Sequence, residues 1–341
     1  MLGIELTPEH PVSHVADLGV LAEDAGFDTV FVTSHYFNRD PFVSLDRVAR
    51  RTERVRVGPA AANPYEIHPV TLASRVASLQ EASGGRAVYG IGPGDPSTLG
   101  ALGLAEERGL RSVLEAFEAA RDLWAGESVT HDGTFRASDA GLKYDVAGAV
   151  PVYVAGEGPS MCRMAAKRAD GLLFNGSHPD DLAWARERVA EGLAERPDGS
   201  EELGKGFDLA AYAAVSVAED ADAAHEAARP PVAFITAGAA PPVLERHGID
   251  RGAAERVSDA LSAGRFSDAF GEVTPTMVEA FSIAGTPEAV ANRAKAVLDY
   301  ADSLVLGTPL GPDVEAAIDL LGGATRGLVA DPRARDPTGS E

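Results

Sequence analysis

Three side chains stand where a reaction would need them: Glu5 between Ile4 and Leu6, His35 behind Ser34, and Asp95 behind Gly92-Pro93-Gly94. A carboxylate flanked by apolar strand residues must be solvated, paired or functional. Among apolar walls it tends to a raised pKa and suits general acid catalysis, worth about 10²–10⁴ in rate. An outward turn toward a helix arginine is the plain alternative for Glu5; a helix cap or a turn is the plain alternative for Asp95. The run 86–95, RAVYGIGPGD, is an apolar strand that stops on glycines and delivers that acid. Val88, Tyr89 and Ile91 suit a strand buried on both faces, while Gly90, Gly92 and Gly94 let another backbone or a flat ligand come close. The eight histidines show no metal spacing. His10 and His14 are four apart but span Pro11 without an accompanying acid, so no metal site is expected.

Strand and helix patterns alternate along the chain. Strands are predicted at 2–6, 29–33, 55–57, 86–92, 151–155, 171–174, 207–217 and 303–306, with helices at 12–25, 41–51, 69–81, 108–125, 159–168, 180–195, 220–228, 287–300 and 312–328. Two stretches break the rhythm: 126–150, read as a loop or small hairpin, and 230–280, read as helical in pieces at 232–237, 243–246 and 253–263. Eight strand-helix units predict a (β/α)8 TIM barrel with insertions, a single domain over 1–329, and a frayed tail over 330–341. A doubly wound sheet is the rival. The G-x-G-x-G spacing of Gly90, Gly92 and Gly94 has no helix directly behind it, and no G-x-x-x-x-G-K-[ST] occurs, so neither nucleotide fingerprint is present.

In a barrel the residues just after each strand share one face, which turns scattered residues into one candidate site. Strand one contributes Glu5; strand two contributes Ser34 and His35; strand three contributes Ala60, Ala61, Ala62, Asn63, Pro64 and Tyr65. Strand four contributes Gly92, Pro93, Gly94 and Asp95; strand five Gly156, Glu157 and Gly158; strand six Asn175 and Gly176. The glycines leave room for an extended planar ligand and offer backbone N–H groups to a phosphate, each anionic contact at a helix N-terminus being worth about 0.3–1 kcal/mol.

Composition sets the outer limits. The chain has 341 residues, 45% of them hydrophobic, with 52 acidic against 30 basic residues and a net charge of −22. Such a surface repels nucleic acid and anionic membranes. The acids, such as Glu23, Glu106, Glu115, Glu187 and Glu201, are spread over predicted helix surfaces, as expected of a protein kept soluble in high salt, where screening removes most self-repulsion. Cys162 stands alone, which excludes an intrachain disulfide and a cysteine-built zinc cluster. The start, MLGIELTPEH, has neither a basic nor a long apolar segment, and no later run approaches a membrane span, so a cytoplasmic protein is expected.

The stretches Gly3-Ile4-Glu5, LAEDAG at 21–26, His35-Tyr36, Asn63-Pro64-Tyr65, GIGPGD at 90–95, PPVLERHG at 241–248, MVEAFS at 277–282 and Leu310-Gly311-Pro312 carry a familiar pattern. By them the chain resembles the bacterial-luciferase-like flavin and deazaflavin oxidoreductases. Within these it is most similar to the branch that reduces methylenetetrahydromethanopterin with the deazaflavin coenzyme F420. The resemblance implies a luciferase-like (β/α)8 barrel, a homo-oligomer (dimer or tetramer), and hydride transfer between the reduced deazaflavin and the methylene bridge of a tetrahydropterin, methanopterin or folate. It also implies a non-prolyl cis peptide at Ala60-Ala61 behind the cofactor ring. Glu5 would then protonate the departing ring nitrogen, and Asp95 would hold or assist the pterin. A monooxygenase of the same superfamily dependent on flavin mononucleotide (FMN), and a barrel that binds a flavin or pterin without catalysis, are the alternatives.

Overall fold

The structure is a computed structural model that describes residues 1–105, 107–197 and 206–329; Glu106, Glu201 and the expected tail at 330–341 lie outside the described residues. The fold is a (β/α)8 barrel of parallel strands with insertions. In chain order the elements are β1 (Leu2–Leu6), α1 (Val12–Ala25), β2 (Thr29–Thr33), α2 (Pro41–Arg51), β3 (Arg56–Ala60), α3 (Pro69–Ala82), β4 (Tyr89–Ile91), α4 (Pro96–Ala101), α5 (Gly109–Trp124), β5 (Val129–Asp132), β6 (Arg136–Ala140), β7 (Val152–Ala155) and α6 (Pro159–Arg168). There follow β8 (Gly171–Asn175), α7 (Pro179–Ala194), β9 (Asp208–Val217), α8 (Ala221–Gly238), α9 (Pro241–Arg246), α10 (Arg251–Ser262), α11 (Phe266–Glu272), α12 (Pro275–Phe281), β10 (Ile283–Gly285), α13 (Pro287–Leu298), β11 (Ser303–Leu310) and α14 (Val314–Thr325). The described residues within 3–175 and 184–210 form one compact unit, and those within 1–2, 176–183 and 211–341 form a second.

The first unit carries the strands that bear most of the predicted site. β1 pairs with β2 and β2 with β3, all parallel, with Glu5 opposite Phe31, Phe31 opposite Gly58, and Thr33 opposite Ala60. β4 pairs with β7 and β7 with β8. Bridges at Val57↔Ala87 and Ala62↔Ile91 join β3 to β4. These strands are buried on both faces, which is why they read as continuous apolar runs and not as alternating ones. The close approach of β3 and β4 dictates glycine. A Cβ on Gly58 would lie 2.2 Å from the Val88 carbonyl oxygen, and one on Gly90 would lie 2.1 Å from that of Pro59. The insertion at 126–150 contains the antiparallel hairpin β5-β6.

Two acids expected on helix surfaces are interior anchors. Glu23, inside the LAEDAG stretch, is 9% exposed, and its carboxylate accepts from the backbone N–H groups of Glu53 (3.1 Å), Arg54 (2.6 Å) and Val55 (2.9 Å). Burial pushes its pKa up, but these three backbone donors and the Arg54 charge outweigh it, and the carboxyl titrates below its ordinary value. It thereby fixes the turn that delivers β3, while Gly26, at φ +98°, ends α1 in the left-handed conformation. Glu115 does the same for the hairpin, accepting from Thr134 N at 2.7 Å and pairing with His131 at 2.8 Å. Burial opposes its ionisation, yet the bonds from Thr134, Arg111 and His131 bring its pKa down to about 2. From the other side of the turn Arg86 donates to the Ala49 and Thr52 carbonyl oxygens at the end of α2, at 2.8 and 2.9 Å.

The second unit holds the strand pair β9-β10, β11 beside β9, and the helices of the larger insertion. Here α8 runs unbroken through Pro230 and Pro231, where the sequence predicts a stop. Proline inside a helix costs about 3 kcal/mol or more. The burial of Ala228, Val232 and Ala233 against Val257, Met277 and Phe281 provides the opposing stabilisation. The short strand β10 has no counterpart in the predicted pattern, because three residues are too few to show a period. Among the described residues no helix is long and apolar enough to cross a membrane.

Glu23→Gln keeps the size and removes the charge from an acceptor of three backbone N–H groups. We expect a loss of about 1.5–3 kcal/mol in urea unfolding; an unchanged midpoint would refute the anchoring role.

Candidate functional site

Parallel pairing sets the depth of each group. Glu5 lies in the row of Phe31 and Gly58, two residues below the row of Thr33 and Ala60 that ends β2 and β3. At about 3.3 Å per residue that is about 6–7 Å beneath the rim. Its side chain is buried, at 3% exposure. Above it Thr7 and Thr33 bring their hydroxyls to 3.4 Å across the ends of β1 and β2.

The segments after β2, β3 and β4 converge. His35 is half-buried and stacks on Phe37 with ring centroids 5.1 Å apart and planes 7° apart. Burial lowers its pKa most, against opposing pulls from the Asp95 and Glu66 charges, which places both carboxylates near the imidazole. Asp95 is the cap of α4: one oxygen accepts from Ser97 N at 2.8 Å and the other from Thr98 Oγ1 at 3.1 Å, with Ser97 Oγ within 2.9–3.0 Å of both. Its partial burial raises its pKa, but those bonds and the His35 charge prevail and hold it below the usual carboxylate range. Asp95 is therefore a fixed negative charge. A helix does begin directly behind the glycines, contrary to the sequence reading; Asp95-Pro96-Ser97 is a cap followed by proline at the first helical position, a signal hidden by the brevity of α4.

Asn63 is buried, at 4% exposure. Its Oδ1 accepts from Tyr65 N (3.1 Å) and Glu66 N (2.9 Å), and its Nδ2 donates to Glu66 Oε1 (2.8 Å). The bend after β3 is thus an Asx turn, and Glu66, which sequence reasoning missed, is part of the site through it. The Asn-Pro pair with an acid three residues on was the available signal.

Between these polar groups lies a surface of small residues. The Ala60-Ala61 peptide is cis. Ala62 N donates to Gly90 O at 3.0 Å and Gly92 N to Ala62 O at 2.9 Å, so the two strand ends run side by side past the cis bond. A Cβ on Gly92 would stand 3.2 Å from Ala155 Cβ and 3.4 Å from Ala61 Cβ. Ala61, Gly92 and Ala155 thus form a floor of small residues where β3, β4 and β7 end. Gly94 takes φ +81°, a conformation that favours glycine, with Pro93 between it and the floor. At the ends of β7 and β8, Gly156 N donates to Leu173 O at 3.2 Å and Asn175 Nδ2 to Glu157 Oε1 at 2.7 Å, while Gly158 caps α6. Ser34, beside His35, is half-buried.

The structure thus links Ser34, His35, Ala60–Asn63, Gly92–Asp95, Gly156–Gly158 and Asn175 through neighbouring strand ends, with Glu5 below. Gly176 belongs to the second unit, where its N–H donates to Tyr212 O at 3.0 Å. Tyr36 and Phe37, exposed at 48% and 65%, stand beside His35, Phe37 stacking on its ring. A cavity of about 650 Å³ in the second unit, lined by His225, Arg229, Glu279 and Arg293 among others, contains none of the predicted residues.

Residues 2–305 match the family described as luciferase-like monooxygenase. The 5,10-methylenetetrahydromethanopterin reductase of Methanolobus tindarius is 40% identical over 322 residues, which cover 94% of this chain and 98% of that protein. The structure of the coenzyme F420-dependent tetrahydromethanopterin reductase from Methanopyrus kandleri superposes with a TM-score of 0.86 at 36% identity, covering 94% of this chain and 96% of the other. A monooxygenase from Streptomyces bottropensis reaches a TM-score of 0.68 at 23% identity, over 95% of this chain and 98% of that one, a likeness of fold alone.

Because Asp95 raises the His35 pKa and burial lowers it, Asp95→Asn should push the His35 titration, followed by NMR, below its already low position. A midpoint that stays in place would show that the two groups do not face each other.

Proposed function

The chain belongs to the luciferase-like monooxygenase family, among its methylenetetrahydromethanopterin reductases, and from that premise we propose that it transfers a hydride from reduced coenzyme F420 to the methylene bridge of a 5,10-methylenetetrahydropterin, giving the 5-methyl form. The observation that carries this reading is the small-residue floor of Ala61, Gly92 and Ala155 beside a buried acid. A flat tricyclic ring fits such a floor of small residues, where a Cβ at Gly92 would crowd Ala155 and Ala61. Ala60, Ala61, Ala62 and Asn63 would support one face of the ring, with Gly92, Pro93 and Gly94 alongside. Ser34 and His35 would meet its polar edge, and Gly156, Glu157, Gly158 and Asn175 its extended part. When bound, the deazaflavin supplies the hydride.

This chain's own residues supply position and one proton. Glu5, seated below the rim among Ile4, Leu6 and Phe31, holds a proton for the ring nitrogen of the substrate that departs as the methylene bridge opens. Asp95, kept ionised by Ser97 and Thr98, orients the pterin. The monooxygenase likeness is one of fold at 23% identity and brings no oxygen chemistry with it. Three further parts of the proposal rest on separate observations: a salt-adapted surface on the net charge of −22, a role in one-carbon metabolism on the reductases it resembles, and a homo-oligomer on the exposed rings of Phe234 and Phe266 beside Phe270.

Mixing the protein with reduced F420 and, separately, methylenetetrahydromethanopterin and methylenetetrahydrofolate should generate the absorbance of the oxidised deazaflavin. In the same assay Glu5→Gln should lower turnover about 10²–10⁴-fold with cofactor affinity within about twofold of the wild type. No signal with either carrier would sink the reductase reading; full turnover in the variant would dismiss Glu5 as the donor.

A further inference from the structure

The cavity of about 650 Å³ is lined by residues of the second unit alone, and no step proposed above uses it. Its volume is in the usual range for small-molecule sites. Four elements wall it: α8 through Asp222, His225, Glu226 and Arg229, α12 through Val278 and Glu279, β10 through Ile283 and Ala284, and α13 through Arg293. Val278 and Ile283 are core residues, so part of the lining is apolar.

The charges around it are unevenly placed. Asp222, Glu226 and Glu279 are exposed, whereas Arg229 and Arg293 are half-buried, so the cations stand further from water than the acids. Arg229 donates to Val273 O at 2.7 Å and to the exposed Glu226 carboxylate at 3.3 Å. Arg293 has less: among the described residues its hydrogen bond is to Glu279 O, at 2.7 Å, and no carboxylate ion-pairs with it. Burial lowers its pKa, against the pull of the Glu279, Asp180 and Asp181 charges. The two aspartates are engaged elsewhere. Asp181 is clasped by Arg246 Nη1, which donates to its Oδ1, and by His247 Nε2, 2.8 Å from its Oδ2; Asp180 lies 3.7 Å from His178 Nδ1. A guanidinium drawn out of water without a carboxylate is costly, and its planar fork matches a carboxylate or a phosphate with two parallel bonds.

We propose that this cavity binds a small organic anion, with its carboxylate or phosphate head on Arg293 and its apolar body on Val278, Ile283 and Ala284. The ligand is neither the cofactor nor the pterin, since the cavity contains none of the residues assigned to them, and the inference stands apart from the reaction proposed above. His225, whose Nε2 lies 4.0 Å from where a Cβ on Gly285 would stand, leans over the end of β10 and offers a ring nitrogen to the same head. The exposed acids, with a net charge of −22 behind them, disfavour anions that lack an apolar body. A ligand seated here joins α8 to α13 and stabilises the folded chain.

Calorimetric titration of the full chain at one fixed salt concentration tests this, with hexanoate, hexyl phosphate and hexylammonium as probes. At least one of the two anions should bind at millimolar concentration and raise the Tm, and the tighter of them tells a carboxylate site from a phosphate site. Hexylammonium, like acetate and inorganic phosphate, should bind about tenfold more weakly or not at all. Arg293→Met should weaken the anion about tenfold or more, as expected for loss of a charge-assisted hydrogen bond. Arg256→Met removes a 2.8 Å surface bond to Glu272 in the same unit and should leave the affinity within about twofold of the wild type. The NMR signals of His225 should move with the anion while those of His10 and His14, in the first unit, stay in place; this measurement needs no variant and serves if Arg293→Met fails to fold. Failure of both anions to bind, equal binding of hexylammonium, full affinity in Arg293→Met or an unmoved His225 signal overturns the proposal. Displacement of the anion by F420 or by either methylene carrier overturns it too, since the cavity would then belong to the site of the reaction.

Discussion

No side chain can stand at Gly58 or Gly90, because the backbones of β3 and β4 pass too close: a Cβ at either position would meet a carbonyl oxygen of the neighbouring strand at 2.1–2.2 Å. That approach sets the rest of the first unit. It brings the Ala60-Ala61-Ala62 segment alongside Gly92, closes the ladder through Ala62 and Gly90, and leaves a floor of methyl groups and bare backbone where β3, β4 and β7 end. Two anchors keep the strands at that distance. Glu23 gathers three backbone donors at the entry to β3, and Arg86 ties the end of α2 to the start of β4. Both lie at the opposite ends of the strands from the floor, so the fold is held at one end and leaves the other for the proposed site, the usual division of labour in barrels of this kind.

The two acids at that working end differ by environment. Asp95 is saturated by Ser97 and Thr98 and faces His35, so its ionised form is fixed. Glu5 lies two residues deeper in a strand whose neighbours are apolar. Separation of roles between two carboxylates by their surroundings is a general device in acid-base enzymes, and the roles proposed for Glu5 and Asp95 follow it.

Much of this was legible in the sequence. The eight strands were visible because strands buried on both faces read as short apolar runs between glycine, proline and polar loops, and the strand-end rule then collected Glu5, His35, Ala60–Asn63, Gly92–Asp95 and Asn175 into one list. What stayed hidden had local physical reasons. Gly90 reads as room for another backbone or a ligand, and it is the neighbouring backbone that it serves; the absence of a side chain does not say what fills the gap. Glu23 and Glu115 read as solvated helix charges, because their partners are backbone N–H groups about 30 and 19 positions away. The cap reading of Asp95 is the one the structure bears out, while α4 itself is too short to show a period. The passage of α8 through Pro230-Pro231 was illegible for the opposite reason: tertiary burial overrode a strong local signal. Glu66 and the Asp181 clasp depend on side-chain pairs that only the fold brings together.

The central claim is that the bare floor at Gly92 is what receives the flat ring. Titration of Gly92→Val with F420, read by fluorescence beside thermal unfolding of the same sample, tests it most directly. The account predicts at least a hundredfold loss of affinity, about 2.7 kcal/mol, in a protein that still unfolds cooperatively; a folded variant that binds F420 as the wild type does would contradict it.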